Sequence, residues 1–259
     1  MKSTCLLTRA LLALAILPAL ASAEMVPQIA FGTSPGGTWK TTIVVVNRSL
    51  TAGGNVQLAF FDQQGAPRPT PANGVTAATH LVYLPPGGSA RVVVEDDAAA
   101  LAVGWLRMTP PAQVALSGQA ILRQKVPGRP DFETVVPFAG APDAVQCLVP
   151  FNPAATTATM LYPFDNTAEF ASSIALANYG ASDLSVTVDA VDEGGVSLMS
   201  VQVQLTKGHH TAFRIDEQFP ILAGRKGVLR VTAPKYALGI QAFLFNHGGA
   251  FTTILPIQM

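Results

Sequence analysis

The sequence is poor in the residues that most often carry chemistry or partner recognition. Only 12% of its 259 residues are charged, with 16 basic against 16 acidic side chains, about half the usual charged share of ~25%. Removing the two cations of the N-terminal segment leaves a formal net of −2. Such a balance gives no electrostatic footprint for nucleic acid or an anionic membrane surface. Aromatic residues are 7% of the chain, a meagre supply for stacking sugars. Two cysteines exist, Cys5 and Cys147, and Cys5 falls in the leader, so no intrachain disulfide is expected of the mature chain. Cys147 reads as a small buried hydrophobe, with a reactive thiol or an intermolecular bridge as the alternative. No stretch beyond the leader approaches the ~20 apolar residues of a membrane span.

The leader itself is legible. Lys2 and Arg9 start it, residues 10–20 form an uncharged apolar run, and Ala21-Ser22-Ala23 offers a small-residue cleavage site, the anatomy of a secretory signal peptide. Residues 1–23 are therefore expected to be removed. The rest is expected to be soluble and either secreted or periplasmic.

What the chain has in quantity is Val, Thr, Gly and Pro, the composition of strands and turns. It also repeats itself, the first thing to seek in any sequence. Gly104-Trp105-Leu106-Arg107-Met108-Thr109 returns as Gly227-Val228-Leu229-Arg230-Val231-Thr232, and Gln119-Ala120 returns as Gln241-Ala242. Earlier in each half, Ile43 to Asn47 matches Ile174 to Asn178, and the turn at Asp62-Gln63-Gln64-Gly65 matches Asp192-Glu193-Gly194-Gly195. Each copy offers about eight short strands with turns every ~8–12 residues, as a β-sandwich requires. Residues 66–79, carrying Pro67, Pro69, Pro71 and Asn73-Gly74, have no counterpart in the second copy and read as a long surface loop. Asp216 to Gly224 reads as a short helix.

The β-branched run ending in Asn, the small polar turn, the alternating apolar residues and the Asp-x-x-Gly turn resemble immunoglobulin-like repeats of secreted bacterial proteins. That resemblance implies an all-β fold of two tandem immunoglobulin-like sandwiches, residues 24–142 and 143–259, arising from an internal duplication. It carries over no catalytic or binding residue.

No nucleophile elbow, zinc-binding helix or phosphate loop is present. His209 and His210 stand where the first copy has Gly88 and Ser89, so they read as solvated turn residues, with His247 at the opposite end of the domain. The end holding His247 also gathers Asp165, Asp192, Glu193, Asp216 and Glu217, which read as a solvated acidic rim, with a calcium site as the alternative. Asn47-Arg48-Ser49 matches a glycosylation acceptor. Arg107 and Arg230 are expected to keep their heads in water at the sheet rim, and Trp39 and Trp105 to lie in the core. No catalytic, cofactor-binding or metal-binding residue is assigned, and no cofactor is expected. The function expected is non-catalytic: a secreted or periplasmic binding or structural module working by adhesion, scaffolding or partner binding, with a protein or glycan of the cell envelope as partner. A carbohydrate-binding module and a two-domain periplasmic chaperone are the alternatives. Exposed aromatics in a row would favour the sugar, a basic interdomain cleft the chaperone, and a bare apolar edge strand adhesion or assembly.

Overall fold

A computed structural model describes residues 24–139, 156–234 and 237–258. Cys147, the leader and the expected domain boundary lie outside them. The first half holds ten strands: β1 (Glu24–Ser34), β2 (Gly37–Asn47), β3 (Gly54–Phe61), β4 (Thr70–Ala72), β5 (Val75–Ala77), β6 (Thr79–Leu84), β7 (Ser89–Val94), β8 (Ala102–Thr109), β9 (Leu116–Lys125) and β10 (Phe132–Pro137). The second holds β11 (Thr157–Asp165), β12 (Phe170–Asn178), β13 (Leu184–Asp192), β14 (Ser197–Leu205), β15 (His210–Arg214), β16 (Lys226–Pro234), β17 (Leu238–Asn246), β18 (Phe251–Ile254) and β19 (Ile257–Gln258). A single helical turn, α1 (Ile215–Gln218), and a 3-10 turn, Pro220–Leu222, separate β15 from β16. The chain is thus nearly all β, and the pairings between its strands are antiparallel.

Each half is built of two sheets. In the first, β6-β3-β8-β1 form one and β7-β2-β9-β10 the other, the two joined through β1; in the second, β14-β13-β16-β11, with β19 beyond β11, and β15-β12-β17-β18 pair in the same orders. The registers agree too. Ile43 faces Ala120 and Val44 faces Gln119, as Ile174 faces Ala242 and Ala175 faces Gln241. Inward-facing residues of both sheets make one apolar cluster per half, around Ile43, Leu58, Phe60 and Leu106 in the first and Ile174, Val188, Leu229 and Ile240 in the second.

The first half departs from regular sheet geometry at three places. β1 serves both of its sheets: Glu24 to Phe31 pair with β8, and Gly32 to Ser34 with β2. The switch falls at Gly32, whose φ of +95° and close approach to the Ala100 carbonyl leave no room for a side chain. Upstream, the β1–β8 register slips between Val26 and Ile29. Pro27, with no N–H to give the ladder, sits in that bulge, which leaves Gln28 outside the regular pairing. Finally, residues 66–79 are not simply a loop. β4 and β5 form a small hairpin, and Ala72 pairs with Val94 so that it extends the sheet beyond β7. Thr70 and Ala72 are buried, and that burial is what holds a proline-rich segment as strand.

The halves are packed against each other along one seam. Phe243 and Phe251 of the second half join the first half's core, with Trp39 tilted against Phe251 at 5.2 Å. β10 and β18 meet side by side: Thr134 Oγ1 and Thr253 Oγ1 lie 2.9 Å apart, and the Thr253 N–H donates to Thr134 Oγ1 at 2.8 Å. Trp105 closes the far end, stacked on Phe61 at 4.4 Å and donating from Nε1 to the Gly208 carbonyl at 2.9 Å.

Candidate functional site

A cleft of ≈ 650 Å³ opens between the halves, within the size range of small-molecule sites, ~300–1,000 Å³. Its floor is the outer face of β12 and β15. Strand alternation puts Ala171, Ser173 and Ala175 of β12 on that face, with Ala212 opposite Ala175 and Arg214 opposite Ser173. Phe243, Phe245 and Phe251 form one wall with Trp39. Phe245 stacks on Phe251 at 5.4 Å, so the wall is a connected set of rings. Gln28, Ala30, Leu101 and Val103 form the other side, and Glu169, Asp216 and His247 stand among the remaining lining residues.

The floor is shallow because its side chains are small, and the other half shows what the fold does otherwise. By register, Lys40 corresponds to Ala171, Arg91 to Ala212 and Arg123 to Phe245. Three cations on the first half's sheet face become two alanines and a phenylalanine on the second's, and one apolar residue, Val93, becomes Arg214. Contact with the first half accounts for Phe243 and Phe251, which are buried in its core. Phe245, half-buried, also packs against that core while lining the cleft, and Ala171 and Ala212 remain on its open floor.

Arg214 is the guanidinium on this lining, and it is already committed. It donates from Nε to Asp216 Oδ1 at 3.2 Å and from Nη2 to Asp216 Oδ2 at 2.6 Å, with Nη1 3.0 Å from Glu217 Oε1. The cleft is apolar and aromatic with a weakly acidic rim. It is not the basic cleft that a chaperone would need.

His210 departs from the sequence expectation. Far from solvated, it is 4% exposed and sits in the seam, donating from Nε2 to Gln28 Oε1 at 2.8 Å while its backbone N–H donates to the Gln63 carbonyl. Burial draws its pKa down to about 4, against the opposing pull of the Pro27 carbonyl. His209 is half-buried beside it, and His247 is exposed at the cleft.

The acidic residues are each accounted for locally. Asp165 Oδ1 accepts from the Thr167 N–H and hydroxyl, and Asp192 Oδ1 from the N–H groups of Gly194 and Val196. Glu193 pairs with Lys226 at 3.1 Å, and Asp216 and Glu217 hold Arg214. Among the described residues no three His, Cys, Asp or Glu side chains gather as metal ligands.

Asn47 is not an accessible glycosylation acceptor. It is buried, and its Nδ2 donates to the carbonyls of Ala52 and Pro85. Arg107 also differs from expectation. Its guanidinium lies over the Trp105 and Phe61 rings at 5.3 and 5.6 Å, and desolvation there lowers its pKa. Arg230, its counterpart, is exposed as expected. Trp105 is buried at 1%, but in the seam between the halves. Trp39 is half-buried and lines the cleft.

This architecture defines an all-β protein of packed antiparallel sheets, and no helix among its described residues is long and apolar enough to cross a membrane. No family model matches the chain, and no curated protein matches it. Among solved structures it is similar to an anti-sigma factor domain-containing protein, over 88% of this chain and 81% of that one, with 11% identity. The TM-score of that comparison is 0.23, too low to bear on fold or function.

Proposed function

We propose that the protein is a non-catalytic, exported binding module of two immunoglobulin-like sandwiches derived from one duplicated unit, and that it takes an apolar ligand in the cleft between them. The duplication is supported by the matching strand orders and registers of the halves. Export rests on the leader, residues 1–23.

One observation carries the binding reading. At three equivalent positions of the corresponding sheet face, Lys40, Arg91 and Arg123 give way to Ala171, Ala212 and Phe245, while Val93 gives way to Arg214, whose charge Asp216 and Glu217 offset, and the result is an open trough walled by aromatic rings. Apolar surface left facing water in this way marks a site of contact. Its wall is aromatic and its floor largely alanine, with its arginine neutralised by Asp216 and Glu217, which suits holding a molecule better than transforming one. An uncharged apolar envelope component, or the apolar part of one, is the ligand class that this lining accepts.

The test restores the first half's residues to the second. Ala171→Lys with Ala212→Arg places two long cations on the floor at sites whose counterparts already carry them. Titration with N-phenyl-1-naphthylamine, a neutral apolar fluorophore, is expected to show saturable binding by the parent protein and at least tenfold weaker binding by the variant. Equal binding by both would overturn the cleft as the site.

A further inference from the structure

The outer edge strand of the first half, β6, differs from its counterpart β14 in a way the cleft does not explain. Both are edges: β6 pairs with β3 and β14 with β13, and among the described residues no strand pairs with their other sides. On β14 the outward side chains include Gln202 and Gln204, locked into a polar ladder. Ser185 Oγ donates to Gln202 Oε1 at 2.6 Å, Gln202 Nε2 to Thr187 Oγ1 at 2.7 Å, and Gln204 Nε2 to Ser185 Oγ at 3.0 Å. By register, Gln57 faces Leu81 as Thr187 faces Gln202, and Asn55 faces Tyr83 as Ser185 faces Gln204. Leu81 and Tyr83 thus stand where the glutamines stand, 69% and 62% exposed.

Edge strands are usually protected by charge, proline or a bulge. The six residues of β6, Thr79-His80-Leu81-Val82-Tyr83-Leu84, contain no proline and no Lys, Arg, Asp or Glu, and their pairing with β3 runs without a slip. The neighbouring outward residues, Asn55 and Gln57, are uncharged as well. A two-fold contact sets every charge near its axis against its own copy, so a patch that pairs with itself must be free of them. This one is.

We propose that β6 is the contact through which two copies of this chain associate, edge to edge and antiparallel, about a two-fold axis at Val82. In that register Leu81 lies opposite Tyr83 of the second copy, and Tyr83 opposite its Leu81, all on one face. The two sheets become one continuous sheet, and the cross-strand apolar pairs stabilise it. Leu50, at 82% the most exposed large apolar side chain among the described residues, lies near Gly87, just past the end of β6. The patch is small beside the ~1,200–2,000 Å² of a stable interface, so the association is concentration-dependent.

Sedimentation velocity across a concentration series of the purified protein tests it. The parent protein shifts from monomer to dimer, and Leu81→Gln with Tyr83→Gln, the residues of the other half, raises the dimer dissociation constant at least tenfold. Its thermal transition serves as the check that it folds; if it does not, Leu81→Lys alone gives the same dissociation by bringing two cations near the axis. A parent protein that stays monomeric at the highest attainable concentration overturns the proposal. So does a dimer equally stable in the variants, or a parent protein that stays monomeric by itself and engages only a foreign extended peptide.

Discussion

His210 Nε2 and Gln28 Oε1 meet at 2.8 Å across the seam between the two halves, which makes their packing pH-dependent. Gln28 reaches there because Pro27 bulges β1 out of register, and His210 because β15 begins at the seam. With its pKa held at about 4 instead of 6.5, His210 stays neutral in the folded chain while the unfolded chain takes up a proton below pH 6.5. Its contribution is therefore complete above pH 6.5 and lost as pH falls towards 4. Between pH 7 and 5 it amounts to about 2 kcal/mol. Thermal unfolding of the parent protein and His210→Gln across that range checks this: the parent loses stability more steeply, and parallel curves would contradict it.

Trp105 carries three contacts at once: the stack on Phe61, the Arg107 guanidinium over its face, and the hydrogen bond to Gly208. Trp105→Ala is expected to cost ~3–5 kcal/mol. Trp105→Phe keeps the ring but forfeits the hydrogen bond, and is expected to cost ~1–2 kcal/mol. Denaturant unfolding separates the two. A neutral Trp105→Ala would mean that the seam does not hold the halves together.

Asn47 and Asn178 hold equivalent corners. Asn178 Nδ2 donates to the Ser182 and Leu205 carbonyls and its Oδ1 accepts from the Gly180 N–H, as Asn47 does with Ala52, Pro85 and Ser49. Replacing either with alanine leaves buried carbonyls unpaired, each costing ~1–3 kcal/mol. Both variants should therefore unfold at clearly lower denaturant. One that matches the parent would show that its corner is satisfied another way.

Much of this architecture is legible in the sequence because it is local. Asn before a turn, Asp-x-x-Gly, and β-branched runs announce strands and corners without reference to anything distant, and Ile43 and Ile174 do occupy corresponding places. What is not legible arises where the halves meet. His210 and Arg107 look like solvent-facing residues until the other half covers them. Trp105 and Leu106, neighbours on a strand, should differ in exposure by alternation, yet both are buried because both faces of β8 are covered there. The small hairpin β4–β5 is hidden by its prolines, which mimic a loop. The cleft leaves a faint trace, the exchange of Lys40, Arg91 and Arg123 for Ala171, Ala212 and Phe245, which becomes visible once register fixes the correspondence.

The protein has two tryptophans, and they divide the question of where a ligand goes. Trp39 lines the cleft, whereas Trp105 is buried in the seam with its indole N–H held by Gly208. A ¹H–¹⁵N correlation spectrum during titration with N-phenyl-1-naphthylamine reads both indole signals at once, assigned through Trp39→Phe. A ligand seated in the cleft moves the Trp39 signal to saturation and leaves the Trp105 signal in place. A Trp39 signal that stays still while the fluorophore saturates would rule the cleft out as the binding site.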